Sequence, residues 1–301
     1  MRVWRIATHN IMDGLALPSL LRDYRALQRA EPLHALCIQE DVPRAASRIA
    51  TALGQRFTVA KHAGDPRLAL VYDRARLHLR KLWLCSLPRL AAVPFWQRIY
   101  TSGTPEAKHA LIGHFSTIGH PGQRLTIANF HLDAAGDVAH RTLQLRGLAS
   151  KLSPLERPLV ACGDTNAFSF RRDMAEVALR AMLAPLRQRH GAMDTHAGNP
   201  RDTHYFARAH EPKLGQQIAV AFGKLGIDFP RRYDVVCSSL RCQHAGHMST
   251  PGSDHDLVWA RLAAPATRRR PSRKVASRQI LAASARLARR RRGGRLSTHH
   301  S

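Results

Sequence analysis

Asn10, Glu40, His131, Asp164, Asn166, Asp234, Asp254 and His255 share one feature of placement: each stands at the end of a short apolar run or beside one. Glu40 follows Leu36-Cys37-Ile38-Gln39, Asp164 follows Leu159-Val160-Ala161-Cys162-Gly163, and Asp234 precedes Val235-Val236-Cys237. A carboxylate next to a buried strand carries a desolvation cost that a metal, a cation or hydrogen bonds must offset. Repeated strand-end carboxylates therefore point to one shared polar pocket. Such a pocket has the groups that phosphate ester hydrolysis requires: charge neutralisation at the phosphoryl oxygens, activation of a water and help for the leaving oxygen. Hard carboxylate oxygens select Mg²⁺ or Mn²⁺. A histidine with a carboxylate on its other ring nitrogen is held in one tautomer with raised basicity, as suits a general base near neutral pH. Asp234 and His255 are the expected pair.

Strands must carry these residues, and the chain supplies them. Residues 2–9 alternate in a β-like run, and Leu20, Leu21, Tyr24 and Leu27 follow at helical spacing. His34–Gln39 reads as a buried strand and Arg44–Leu53 as a helix. Phe57–Ala60, Leu68–Tyr72, Leu77–Leu84, His109–Phe115 and Leu125–Phe130 read as successive strands. Val138–Leu152 and Arg171–Leu186 are helical; Pro158–Cys162, Tyr233–Ser239 and Leu257–Leu262 are strands. Many strands with few helices between them predict two packed sheets with helices outside, rather than a doubly wound parallel sheet. Pro88–Pro105, with Phe95, Trp96, Arg98 and Tyr100, and Ala207–Arg232 read as insertions facing substrate.

The strings Thr8-His9-Asn10-Ile11, Gln39-Glu40, Asn129-Phe130-His131-Leu132, Gly163-Asp164-Thr165-Asn166, Tyr233-Asp234-Val235-Val236 and Ser253-Asp254-His255 occur in this order at expected strand ends. Over roughly residues 3 to 263 the chain resembles the endonuclease/exonuclease/phosphatase superfamily, which includes DNase-I-like nucleases, sphingomyelinases and inositol-phosphate phosphatases. The resemblance implies a four-layered α/β/β/α sandwich of two mixed sheets and a metal-dependent phosphoesterase. Glu40 would be the main metal ligand, supported by Asn10 and Asp254. Asp164 would position the attacking water or assist the leaving group, Asn166 and His131 would donate to phosphoryl oxygens, and His255, oriented by Asp234, would be general base or transition-state donor. Two departures stand out. Met12 occupies the place where several nucleases of the family have an acidic residue, with Asp13 the nearest carboxylate, which puts a second metal in doubt. Asp256-Leu257 follows the Ser-Asp-His string where an apolar residue and proline are common. Asp228 rivals Asp234, but the run Val235–Cys237 gives Asp234 a buried strand to stand on.

The chain has 301 residues and a formal charge of +26. From Pro265 onward there are twelve Lys or Arg and no Asp or Glu, so the preceding body still carries +14. Residues 1–264 are expected to form the catalytic domain and 265–301 a mobile Arg-rich tail, in which Ala276, Ile280, Ala283 and Leu287 fall at helical spacing. A basic surface favours polyanions, with nucleic acid first, anionic lipid, inositol phosphate or a nucleotide next, and an inactive nucleic-acid binder as a different class. No run is long and apolar enough for a membrane helix, and His9, Asn10 and Asp13 interrupt any leader, so a cytoplasmic place is expected. The five cysteines are read as free buried thiols rather than a disulfide framework. Cys237, Cys242, His244 and His247 mimic zinc spacing, but zinc knuckles separate their ligand pairs by a longer segment.

Overall fold

The structure is a computed structural model that describes residues 3–93, 95, 106–153, 158–167, 172–205, 208, 217, 220, 221, 225 and 231–263. In chain order its elements are β1 (Val3–Asn10), a 3₁₀ turn (Met12–Gly14), α1 (Leu17–Ala30), β2 (Ala35–Gln39), α2 (Ala45–Leu53), β3 (Phe57–His62), β4 (Asp65–Asp73), β5 (Leu77–Ser86), β6 (His109–Thr117), β7 (His120–His131), α3 (Val138–Lys151), β8 (Leu159–Asp164), α4 (Arg172–His190), β9 (Met193–Asp194), β10 (Asp234–Ser238), β11 (Cys242–Met248) and β12 (Leu257–Ala263). The strands form two six-stranded sheets, ordered β11-β12-β1-β2-β4-β3 and β5-β6-β7-β8-β10-β9. Each sheet is mixed: β1 runs parallel to β2 and β7 parallel to β8, while the other pairings are antiparallel.

Three apolar layers glue the sandwich. Leu17, Leu20, Leu21, Tyr24 and Leu27 of α1 and Ile49 and Leu53 of α2 cover the outer face of the first sheet through Ala7, Leu36, Ile38 and Val71. Leu145 and Leu148 of α3 and Leu179, Met182 and Leu186 of α4 cover the second sheet through Ile112, Phe130, Ala161 and Val235. Between the sheets lie Trp4, Ile6, Cys37, Leu70, Ile127, Val160, Cys162, Val236 and Ala260. The result is two packed sheets with helices outside, as the strand pattern predicts, in the α/β/β/α order that the resemblance implies.

Strand periodicity then decides where the polar residues go. Side chains two apart on a strand share a face, so Trp4 and Ile6 continue into Thr8 and Asn10, Cys37 into Gln39, Ile127 into Asn129 and His131, and Val160 and Cys162 into Asp164. The face that is apolar in the middle of the sandwich becomes polar at one end of it. Just short of that end, the Gln39 amide donates to Thr8 and Asn129, and Asn129 Nδ2 donates to the Ile38 and Ala69 carbonyls at 2.8 and 2.9 Å. Asn129 thereby ties the second sheet to two strands of the first. Packing at this level is close: a Cβ at Gly163 would lie 1.9 Å from the Phe130 carbonyl oxygen.

β9 and β11 arise where the sequence shows no apolar run. β11 pairs with β12 at the edge of the first sheet, with an irregularity between Cys242 and His244. This separates the zinc-like spacing: Cys237 is buried in β10 of the second sheet, while Cys242, His244 and His247 belong to the first. Asp228, Trp96, Arg98, Tyr100 and residues 265–301 lie outside the described residues; Phe95 is exposed.

Candidate active site

Register brings three of the expected residues onto one rung, because His131 of β7 pairs with Asp164 of β8, which pairs with Asp234 of β10. Asn10 and Gln39 end β1 and β2 on the facing sheet. Glu40 comes next and has φ 55°, a left-handed backbone that costs a non-glycine residue about a kilocalorie or more. That turn breaks strand alternation and lets the Glu40 carboxylate reach to 3.8 Å from His131 Nε2 on the opposite sheet. Met12, Asp13 and Asn166 also have positive φ, so left-handed backbone gathers in the loops around this end of the sandwich.

Asp164 is the hub. Its Oδ2 accepts from Asn10 Nδ2 at 3.1 Å and lies 3.6 Å from His131 Nε2 and 3.7 Å from His255 Nε2, while its Oδ1 accepts from the Asn166 amide at 2.7 Å. Burial works to raise the Asp164 carboxyl, but His255, His131 and these hydrogen bonds outweigh it and hold the group below the usual carboxylate range. Asn166 Nδ2 donates to the Leu132 carbonyl at 2.9 Å, which leaves one side-chain N–H for a ligand.

His255 Nδ1 sits 2.7 Å from Asp234 Oδ2, and the same oxygen accepts from Thr203 Oγ1 at 2.8 Å. Burial opposes the imidazolium, yet Asp234, Asp164 and Asp254 together hold its pKa well above the ordinary histidine value. The backbone is pinned as well: the His255 amide donates to Ser253 Oγ, Ser253 Oγ donates to the Asn10 carbonyl, and Thr250 Oγ1 donates to the His255 carbonyl. Those bonds fasten the Ser253–His255 turn to the end of β1.

His131 behaves in the opposite way. Burial and the nearby Lys108 bring its pKa down to about 3, so it is a neutral imidazole at neutral pH. Glu40 is pushed up by burial and by the Asp13 and Asp254 carboxylates, against the pull of Arg67. Arg67 contacts Asp13 at 2.7 Å and Glu40 only at 3.7 Å. Asp254 lies 3.5 Å from His204 and 3.9 Å from His255, and despite burial these partners bring its carboxyl down to about 2. Beside His131 a cavity of about 300 Å³ opens, lined by Arg67, Lys108 and His109 among others. Asp256 points to a different partner, accepting from Arg208 Nη1 at 2.6 Å.

No sequence model of a protein family matches the chain, and no curated protein sequence matches it. Solved structures do. D. rerio TDP2 complexed with a single-strand DNA product is 15% identical, with 88% of this chain and 100% of that chain covered and a TM-score of 0.63. An endonuclease/exonuclease/phosphatase from Bacteroides vulgatus gives 16%, 88%, 100% and 0.62 for the same four measures. The human Nocturnin catalytic domain with a bound sulfate anion gives 18%, 87%, 95% and 0.58. This chain has the DNase-I-like fold.

Within the DNase-I-like sandwich, Asn10, Glu40, His131, Asp164, Asn166, Asp234, Asp254 and His255 all lie at one end of the two sheets. Two neighbours were not singled out from the sequence. Thr203 Oγ1 accepts from the Tyr233 and Asp234 amides and donates to Asp234, and His204 stacks on Tyr233 at 4.5 Å while meeting His255 edge-on at 4.7 Å. They lie in Asp202-Thr203-His204-Tyr205, outside any regular strand. Backbone bridges of His204 to Arg231 and His255, and the Asp256 amide on the Thr203 carbonyl, bring them in, and those depend on tertiary structure.

Proposed function

We propose that this protein hydrolyses phosphate esters with a divalent cation, Mg²⁺ or Mn²⁺, and that a phosphodiester in nucleic acid is its substrate. One observation carries the reading: carboxylates and imidazoles from both sheets converge on Asp164, with His131 and His255 each within 4 Å of its Oδ2. The donor set fits a hard cation. Glu40 is partly buried, beside like charges that push its carboxyl up, and Arg67, its cationic neighbour, is half exposed and closer to Asp13. Glu40 and Asp254, supported by Asn10, would hold the cation. When bound, it would neutralise charge on the phosphoryl oxygens.

The side chains divide the remaining work. His255 is pinned through Nδ1 by Asp234 and held in its charged form, so its Nε2–H donates to a phosphoryl oxygen as negative charge builds there. Neutral His131 supplies a second donor, this one uncharged, from the opposite side of Asp164. Asp164 is ionised and faces both imidazoles, where it orients the attacking water and takes up its proton. Asn166 offers its remaining N–H to the same oxygens. The net charge of +26 supports a polyanionic substrate, as does the DNA product bound to the structurally similar TDP2.

The experiment is a panel of single- and double-stranded DNA, RNA, phospholipid vesicles and inositol phosphates, each assayed with Mg²⁺, with Mn²⁺ and with EDTA. The expected result is cleavage of nucleic acid that EDTA abolishes. Cleavage confined to lipid or inositol phosphate would move the substrate class, and binding of DNA without turnover on any substrate would reject the enzyme reading.

A further inference from the structure

We infer that His204, Asp254 and His255 form a site for a borderline metal ion, Zn²⁺ above all, that shares Asp254 with the oxygen-donor site at Glu40. One donor atom from each residue lies within 4.8 Å of the other two, and all three side chains are buried. His204 Nε2 is 3.5 Å from Asp254 Oδ2, and His255 Nε2 is 3.9 Å from Asp254 Oδ1. A tetrahedral zinc with bonds of roughly 2.0 to 2.1 Å sets its ligands about 3.3 Å apart. The two distances run to different oxygens of Asp254, so the imidazoles must draw in on the carboxylate to close around the ion, with the fourth position left for water. Two imidazole nitrogens and one carboxylate oxygen favour zinc over magnesium, since nitrogen donors select borderline metals and all-oxygen sites select hard ones.

Both rings are held in place from behind. Asp234 grips His255 Nδ1 at 2.7 Å, the carboxylate–histidine support that fixes a zinc-binding imidazole and raises its basicity. His204 is clamped by its stack on Tyr233, with rings only 14° from parallel, and by backbone bridges to Arg231 and to His255 itself. The Tyr205 amide donates to the Asp254 carbonyl at 2.8 Å, which binds the two ligand-bearing segments together. These supports hold both rings beside Asp254 before any ion binds, so only the final closure is left to the ion.

The consequence for activity rests on the proposed function: zinc bound here displaces the proton of His255 Nε2 to solvent and takes one Asp254 oxygen, so it acts as an inhibitor of the Mg²⁺-dependent reaction. Binding can be read without turnover. Metal-free full-length protein is titrated with Zn²⁺ alone by calorimetry, and with Co²⁺ alone while its visible spectrum is followed. The wild type should bind one Zn²⁺ equivalent at this site and give the intense visible bands of tetrahedral cobalt. His204→Ala should lose those bands and weaken zinc binding by about a hundredfold or more, with His204→Gln as the variant that keeps the ring's volume and polarity. In the Mg²⁺ assay both variants should need far more Zn²⁺ for half-inhibition. Cobalt bands and zinc affinity unchanged by either substitution would overturn the site. His204-dependent zinc binding in a chain without turnover would keep the site and reject the proposed function, and turnover with no His204-dependent zinc binding would do the reverse.

Discussion

Replacing Asp234 by Asn is the sharpest test of how the site works. The substitution keeps the shape of a fully buried side chain and its reach to Thr203, and removes the charge that faces His255 Nδ1 across 2.7 Å. With charge centres about 4 Å apart and an effective dielectric near 20, that charge stabilises the imidazolium by about 4 kcal/mol. At about 1.4 kcal/mol per decade, kcat on bis-p-nitrophenyl phosphate should fall about a thousandfold. KM and the Mg²⁺ dependence should change little, because Asp234 touches neither phosphate nor cation in the proposed arrangement. Loss of the carboxylate also lets His255 deprotonate at lower pH, so the alkaline limb of the residual activity should move toward acid, which a purely structural role would not cause. Steady-state kinetics from pH 6 to 10, with circular dichroism to confirm the fold, reads all three quantities. A kcat within about fivefold of the parent would refute the assignment of Asp234 as the group that sustains charged His255.

Asn129→Ala removes the tie from the second sheet to the Ile38 and Ala69 carbonyls and takes one of the two acceptors from the Gln39 amide, which should cost about 3 kcal/mol in urea denaturation; an unchanged midpoint would show that water replaces the tie. Acid should destabilise the fold because burial brings His34 down to about 4 and His9 to about 3, both below the ordinary value of 6.5. A depressed histidine contributes stability that is present above pH 6.5 and lost as pH falls toward its folded value, about 2 kcal/mol for each of the two at pH 5 relative to pH 8. His34→Gln, which keeps an acceptor for the Arg5 amide, should make the urea midpoint less sensitive to pH over that range; equal sensitivity in both proteins would contradict the assignment.

The parts of this fold that were legible in the sequence are those where burial on both faces leaves a continuous apolar run. Leu36–Ile38, Leu159–Cys162 and Val235–Cys237 announce β2, β8 and β10, and the polar residue at the end of each run marks the end of the sandwich where the site lies. β11 was not legible, because Cys-Gln-His-Ala-Gly-His-Met at a half-exposed sheet edge needs little apolar surface and shows none of the usual strand pattern. α4 continues to His190, past the expected end at Leu186, because Pro185 does not stop it. Thr203 and His204 escaped for a different reason: nothing local distinguishes them, and their roles come from hydrogen bonds and ring contacts to residues about thirty to fifty positions away.

The central claim is that Glu40 and His255 serve one metal-dependent phosphoester hydrolysis. The most direct measurement is the initial rate of bis-p-nitrophenyl phosphate hydrolysis by the wild type, Glu40→Ala and His255→Ala proteins in Mg²⁺, in Mn²⁺ and in EDTA. The wild type should turn the substrate over, and turnover should vanish in EDTA and in both variants. Equal rates with and without EDTA, or turnover that survives both substitutions, would contradict it.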